Sequence, residues 1–123
     1  PSAGCAFTTA FVSLLLGKKI NRLVAMTGEI ELSGKINKIG GLVAKLVGAK
    51  KAGVTRVYIC TDNKEDYEAI KKKDPGLFDD TFEIKIVSHI IDILMDPFVI
   101  PGVSRTDFCK DVIKNYHSTE NVK

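Results

Sequence analysis

Apolar and polar positions follow two different periods along this chain, and the switches between them predict its elements. Residues 2–16 (SAGCAFTTAFVSLLL) are apolar nearly all round, interrupted only by small or hydroxyl side chains. They predict a helix capped by Ser2 and stopped at Gly17, with Lys18 and Lys19 at its negative end. Ala3, Gly4, Ala6 and Ala10 lie near its start, so the expectation is a buried, closely packed helix. Residues 22–27 (RLVAMT) read as a buried strand and 29–32 (EIEL) as the edge of a second. Ser33-Gly34 signals a turn, after which 35–39 (KINKI) alternates again. Gly40-Gly41 opens a helix that runs to about residue 52 and closes at Gly53. Residues 55–60 (TRVYIC) predict another strand. Asp62 then caps a polar helix to about residue 73, ended by Asp74-Pro75-Gly76. Residues 82–87 (FEIKIV) form a last strand, and 89–95 a short final helix in which His89 caps or packs.

Strands alternating with helices place the chain in the α/β class, read here as α+β with a mixed sheet. Residues 1–96 form the domain. Residues 97–123, punctuated by Pro97 and Pro101, read as a C-terminal extension, partly helical near 106–116 or flexible.

Composition narrows the chemistry. The chain has 123 residues, 45% hydrophobic and 27% charged, which suits one globular domain with a mostly aliphatic core. Net charge is +3, and the basic residues are scattered, which gives no footprint for nucleic acid. Cys5, Cys60 and Cys109 are widely spaced with no CxxC, against a disulfide framework or zinc site and for a reducing compartment. With only His89 and His117 present, a histidine-based triad has little material. The longest apolar run is too short to span a membrane. The sequence starts at Pro1 without Met or a basic leader, and reads as a piece of a longer polypeptide.

Two residues stand out chemically. Ser2 sits where a helix begins, beside unpaired N–H groups and the positive dipole end. Those donors suit an oxyanion or a phosphate, although no phosphate-loop pattern is present. An ordinary N-cap serine is the simpler reading. Lys45 lies among Leu42, Val43, Leu46, Val47 and Ala49, with small residues at Gly41, Gly48 and Ala49 on its face and no carboxylate at helical spacing. Partial desolvation there would disfavour the ammonium and suit a general base. A lysine snorkelling from the core rim is the simpler reading. Lys50 and Lys51 read as a solvated helix end.

Two separated runs, Pro1-Ser2-Ala3-Gly4 and the stretch MTGEIELSGKINKIGGLVAKLVGAKKAG, closely resemble the proteolytic domain of the Lon family of ATP-dependent proteases. Pro1 to Gly4 match the run around that family's nucleophile. Thr27-Gly28-Glu29-Ile30, Gly34, Ile39-Gly40-Gly41-Leu42 and Lys45 match its second block, in order. The resemblance extends to about Leu94.

It implies the Lon proteolytic-domain fold, with that domain's N-terminal strands outside this sequence. It implies that Ser2 is the nucleophile and Lys45 the base of a Ser–Lys dyad. Thr27 would orient the lysine, and the backbone at Ser2 and Ala3 would contribute to an oxyanion hole. Gly4, Gly40 and Gly41 would support them. The substrates implied are unfolded or damaged polypeptides. No cofactor or metal is expected in this chain, with ATP and magnesium used by an ATPase module outside it. The whole protein would be a homohexamer in a bacterial cytoplasm, mitochondrial matrix or peroxisome, with no membrane or nucleic-acid partner. Two other readings stand beside it: a non-catalytic assembly module, and an anion-binding α/β domain. The 123 residues alone are expected to show little or no activity, because Ser2 lies one residue from the terminus.

Overall fold

The computed structural model describes residues 4–103. Helix α1 covers Gly4–Leu16, followed by β1 (Val24–Met26), β2 (Glu29–Ile30) and β3 (Ile36–Asn37). Next come α2 (Leu42–Lys51), β4 (Arg56–Cys60), a 3-10 turn at Thr61–Asn63, and α3 (Lys64–Lys73). A second 3-10 turn (Pro75–Leu77), β5 (Glu83–Val87) and α4 (Ile90–Leu94) complete the order. Parallel and antiparallel pairings fall in separate sheets. Strands β1, β4 and β5 form a parallel sheet with β4 central, and β2 pairs β3 as an antiparallel hairpin.

The run VYIC in β4 is apolar on both faces, as a central parallel strand requires. Val57, Tyr58, Ile59 and Cys60 are each at most 1% exposed. Because successive side chains point to opposite faces, they feed two cores. Tyr58 and Cys60 join Cys5 and Val12 of α1, Ile36, and Ile90, Ile93 and Leu94 of α4. Val57 and Ile59 join Leu42 and Leu46 of α2, with Tyr67 and Ile70 of α3 and Phe82 packed beside them. The domain is therefore layered, with α1 and α4 on one face of the sheet and α2 and α3 on the other.

The hairpin docks at the carboxyl end of β5. Ile36 N–H donates to the Ser88 carbonyl (2.9 Å) and Ile90 N–H to the Gly34 carbonyl (2.8 Å). His89 locks this junction. Its Nδ1 accepts from Ile91 N–H (3.1 Å), so Nε2 carries the hydrogen and donates to the Ser33 carbonyl (2.8 Å). Gly34, at φ 91°, is required here, since a Cβ would sit 2.4 Å from the imidazole. The expected capping role of His89 is what the structure shows.

Four expectations are corrected. Helix α1 is not buried all round: Phe7, Phe11 and Leu14 are 74%, 58% and 79% exposed. Their i, i+4, i+7 spacing makes one apolar stripe, which no other described element covers. Asp62 does not cap α3. It lies in the 3-10 turn, its N–H held by Cys60 Sγ (3.3 Å), and α3 starts two residues later at Lys64. Lys50 is not a solvated helix end: its Nζ donates to the Leu77 carbonyl (2.7 Å) and pairs with Asp79 (2.9 Å). The boundary expected at 96/97 is not an edge of the core, because Val99 and Ile100 are fully buried. Asn21 holds that segment, its N–H donating to the Val99 carbonyl and its side chain to the Phe98 carbonyl, both at 2.9 Å. Arg56 reinforces it, pairing with Glu83 (2.9 Å) and lying over the Phe98 ring (3.9 Å to its centre). The helix expected near 106–116 lies outside the described residues.

Burial predicts opposite outcomes for two leucines. Leu46→Ala, at a fully buried site, is expected to cost about 2–5 kcal/mol in urea unfolding. Leu14→Ser, on the exposed stripe, should change it by less than about 0.5 kcal/mol. Asp79 supplies a pH marker. Hydrogen bonds from Thr81, then from Lys50, hold its carboxyl at about 2. An unfolded aspartate titrates at about 3.9, so this contact is present above that pH and is lost as pH falls through the folded value. NMR titration of the Asp79 carboxyl should show the low midpoint, and Lys50→Met should raise it.

Candidate functional site

Three chain segments meet just beyond β1. Gly4 opens α1 against the hairpin, where a Cβ would lie 3.1 Å from Ile30 Cγ2 and 3.3 Å from the Ile30 nitrogen. Cys5 N–H donates to the Gly28 carbonyl (3.4 Å). Gly28 itself, at φ 135°, leaves no room for a side chain: a Cβ would sit 2.4 Å from Ile36 Cγ2 and 3.4 Å from Cys5 Sγ. The Thr-Gly-Glu-Ile run is thus the seat on which the first turn of α1 rests. Ser2 and Ala3 lie outside the described residues, immediately before that turn.

Thr27 stands at the same place. Its N–H donates to the Tyr58 carbonyl (3.0 Å), extending the β1–β4 pairing by one residue. Thr27 is only 7% exposed, and its Oγ1 has no hydrogen-bond partner among the described residues. A buried hydroxyl without a partner is costly. It marks a position where a polar group from elsewhere would be welcome.

Lys45 lies one turn into α2. Thr55 N–H, just beyond α2, bonds the Leu23 carbonyl at the amino end of β1 (2.8 Å), so α2 ends at the amino edge of the sheet. The helix therefore begins at the carboxyl edge, where Thr27 and the start of α1 lie. Lys45 is half-buried, and its N–H makes the first helical bond to the Gly41 carbonyl (3.3 Å). Gly41 adopts φ 68°, which explains its glycine. No described residue lies within 4 Å of a Cβ built at Gly40, Gly41 or Gly48, so among the described residues the small-residue surface at these positions is open. Gly40 and Gly41 also line a groove of about 450 Å³ with Lys38, Val43, Asp66 and Ile70.

The structure thus brings Gly4, Gly28 and Thr27 into one cluster and directs the Lys45 helix to the same sheet edge. Among the described residues, no group of three or more His, Cys, Asp or Glu side chains is placed to hold a metal, and no helix is long and apolar enough to cross a membrane. Cys5, three residues past Ser2, is fully buried. Burial first, then the neighbouring Cys60, pushes its thiol up to about 11, so it is a packing residue. Sequence reasoning passed over Asn63. It is completely buried and brackets Ile39, yet a lone asparagine beside Asp62 gives no pattern that marks it.

Residues 1–99 match the Lon protease (S16) C-terminal proteolytic domain. A Lon protease homolog of Acanthamoeba polyphaga mimivirus is 69% identical over 116 residues, covering 94% of this chain and 11% of that protein. The Lon protease of Flavobacterium johnsoniae is 47% identical over 73 residues, 59% of this chain and 9% of that one. The mitochondrial Lon protease homolog of Homo sapiens is 38% identical over 93 residues, 76% of this chain and 9% of that one. The chain spans about a tenth of the length of these relatives.

Inertness of Cys5 is directly measurable. In a Cys109→Ser background, a disulfide reagent such as dithionitrobenzoate should leave Cys5 and Cys60 unmodified for hours in native buffer and react within seconds in denaturant. Rapid native modification of Cys5 would show that the helix start is not packed as described.

Proposed function

Because the chain belongs to the Lon protease (S16) C-terminal proteolytic-domain family, we propose that it supplies the Ser2–Lys45 dyad of an ATP-dependent serine endopeptidase. The observation that supports this reading is the docking of the α1 start on the Thr27–Ile30 run at the carboxyl edge of the sheet, the edge at which the Lys45 helix begins. Thr27 Oγ1 is not hydrogen-bonded to Lys45 in this structure, and holding the amine is a role proposed for it in the assembled site.

Catalysis proceeds through an acyl-enzyme. Lys45, as the neutral amine, takes the Ser2 hydroxyl proton while Ser2 Oγ attacks the scissile carbonyl. Backbone N–H groups at Ser2 and Ala3, at the positive end of α1, stabilise the oxyanion. The lysine then protonates the leaving amine and later draws a proton from the water that frees the serine. His89 is poorly suited to be the base, since both ring nitrogens are already engaged in the fold. The open surface at Gly40, Gly41 and Gly48 lets a substrate backbone pass close to Lys45.

The substrates are unfolded or damaged polypeptides. ATP and magnesium act in an ATPase module outside these residues, and the whole protein works as a homohexameric ring. Its compartment is reducing: a bacterial cytoplasm, a mitochondrial matrix or a peroxisome. Relatives named as mitochondrial and as bacterial Lon proteases support the first two.

In a full-length Lon protease carrying this segment, Ser2→Ala and Lys45→Ala are each expected to lower cleavage of a fluorogenic peptide by at least about 10²-fold. Ser2→Ala should cost only about 1 kcal/mol of stability. Lys45→Arg should fail equally, since a guanidinium stays charged and cannot accept the proton. Turnover retained in Lys45→Ala would remove the dyad and leave the assembly-module reading.

A further inference from the structure

The geometry assigns Asn63 as the positioning residue for Lys45, a role that rests on reading Lys45 as the general base. Asn63 ends the 3-10 turn after β4 and is 0% exposed. Its amide brackets the backbone of one residue in a distant segment: Oδ1 accepts from Ile39 N–H (3.0 Å) and Nδ2 donates to the Ile39 carbonyl (2.9 Å). Nδ2 also donates to Asp66 (2.9 Å), which fixes the orientation of the amide. Donor and acceptor are both used, so neither leucine nor aspartate could replace it.

Ile39 leads directly into the weakest part of the path to Lys45. Gly40 and Gly41 come next, and a Cβ built on either would touch no described residue within 4 Å. Gly41 begins α2 with no side-chain cap. Two glycines that meet no described residue at their Cβ positions, and a first turn without a side-chain cap, give the start of α2 little local restraint of its own. Ile39, 6% exposed, is the anchored residue immediately upstream of the glycine pair. Leu42 and Leu46 hold the face of α2 against the sheet. Apolar contacts are not directional, however, and set the position along the helix axis weakly. The two amide hydrogen bonds supply that missing constraint. They tie the α2 start to the end of β4, the most buried strand, and through it to Thr27, whose N–H is bonded to Tyr58. Lys45 and Thr27 are thus referenced to one strand, and a base misplaced by about 1 Å can lose of order 10²-fold in rate.

The test is Asn63→Ala in a full-length Lon protease carrying this segment, beside Lys45→Ala. The expected result is a folded enzyme with kcat lowered about 10- to 100-fold, KM within about twofold, and an acid limb of the kcat/KM profile displaced by half a unit or more. Labelling of Ser2 by a fluorophosphonate should slow by the same factor as kcat. An unchanged kcat, or a profile lowered uniformly with its limb in place and labelling of the folded fraction unaltered, would overturn the assignment. Should Asn63→Ala not fold, Asp66→Ala decides. It removes the half-buried partner that orients the amide, together with a 4.0 Å surface pair to Lys38, and should lower kcat about threefold at constant KM, whereas an unchanged kcat overturns the proposal. Failure of the dyad itself would be seen separately, as activity retained in Lys45→Ala.

Discussion

Everything in this domain hangs on the burial of β4 on both faces. Its four inward residues divide between two cores, and its backbone pairs with β1 on one side and β5 on the other. A strand with no solvent face cannot slip register, because a one-residue shift would exchange the side chains of the two cores. That rigidity is carried outward at its carboxyl end. The Tyr58 carbonyl receives Thr27, Cys60 Sγ donates to the Ile36 carbonyl (3.1 Å), and Asn63, three residues on, brackets Ile39.

The candidate site is consequently an edge phenomenon. None of its described residues lies within a strand of the parallel sheet. Gly4 begins a helix, Thr27 comes just after β1, and Lys45 stands one turn into α2. Ligands of open parallel sheets collect at the carboxyl ends of the strands because helices begin there, presenting N–H groups and positive dipole ends. Here the helix α1 is held to that edge by close backbone approach at Gly4 and Gly28, where any side chain would separate the segments.

The exposed stripe of Phe7, Phe11 and Leu14 shows how far a helix can be apolar without being enclosed by the described part of this chain. Its opposite face, through Cys5, Thr9 and Val12, is packed within the described residues, with Thr9 Oγ1 donating back to the Cys5 carbonyl (2.8 Å). Lys50 makes the converse point. A cation at a helix end reads as solvated, yet carbonyls from the turn at Gly76 and Leu77, brought in by the path between α3 and β5, enclose it.

By itself the sequence determined the order of elements, because strand and helix periods are local. The doubly apolar run VYIC, the αL glycine at Gly41 and the terminating Asp74-Pro75-Gly76 all act within a few residues. It also carried the family, through short runs whose spacing is chemical. Tertiary structure alone decided which carbonyl Thr27 meets, that Asn63 turns its amide to Ile39 instead of capping α3, that Val99 and Ile100 complete the core, and which face of α1 is covered. Those outcomes depend on partners 24 or more positions away, and no local period records which distant backbone group will arrive to satisfy a buried amide or hydroxyl.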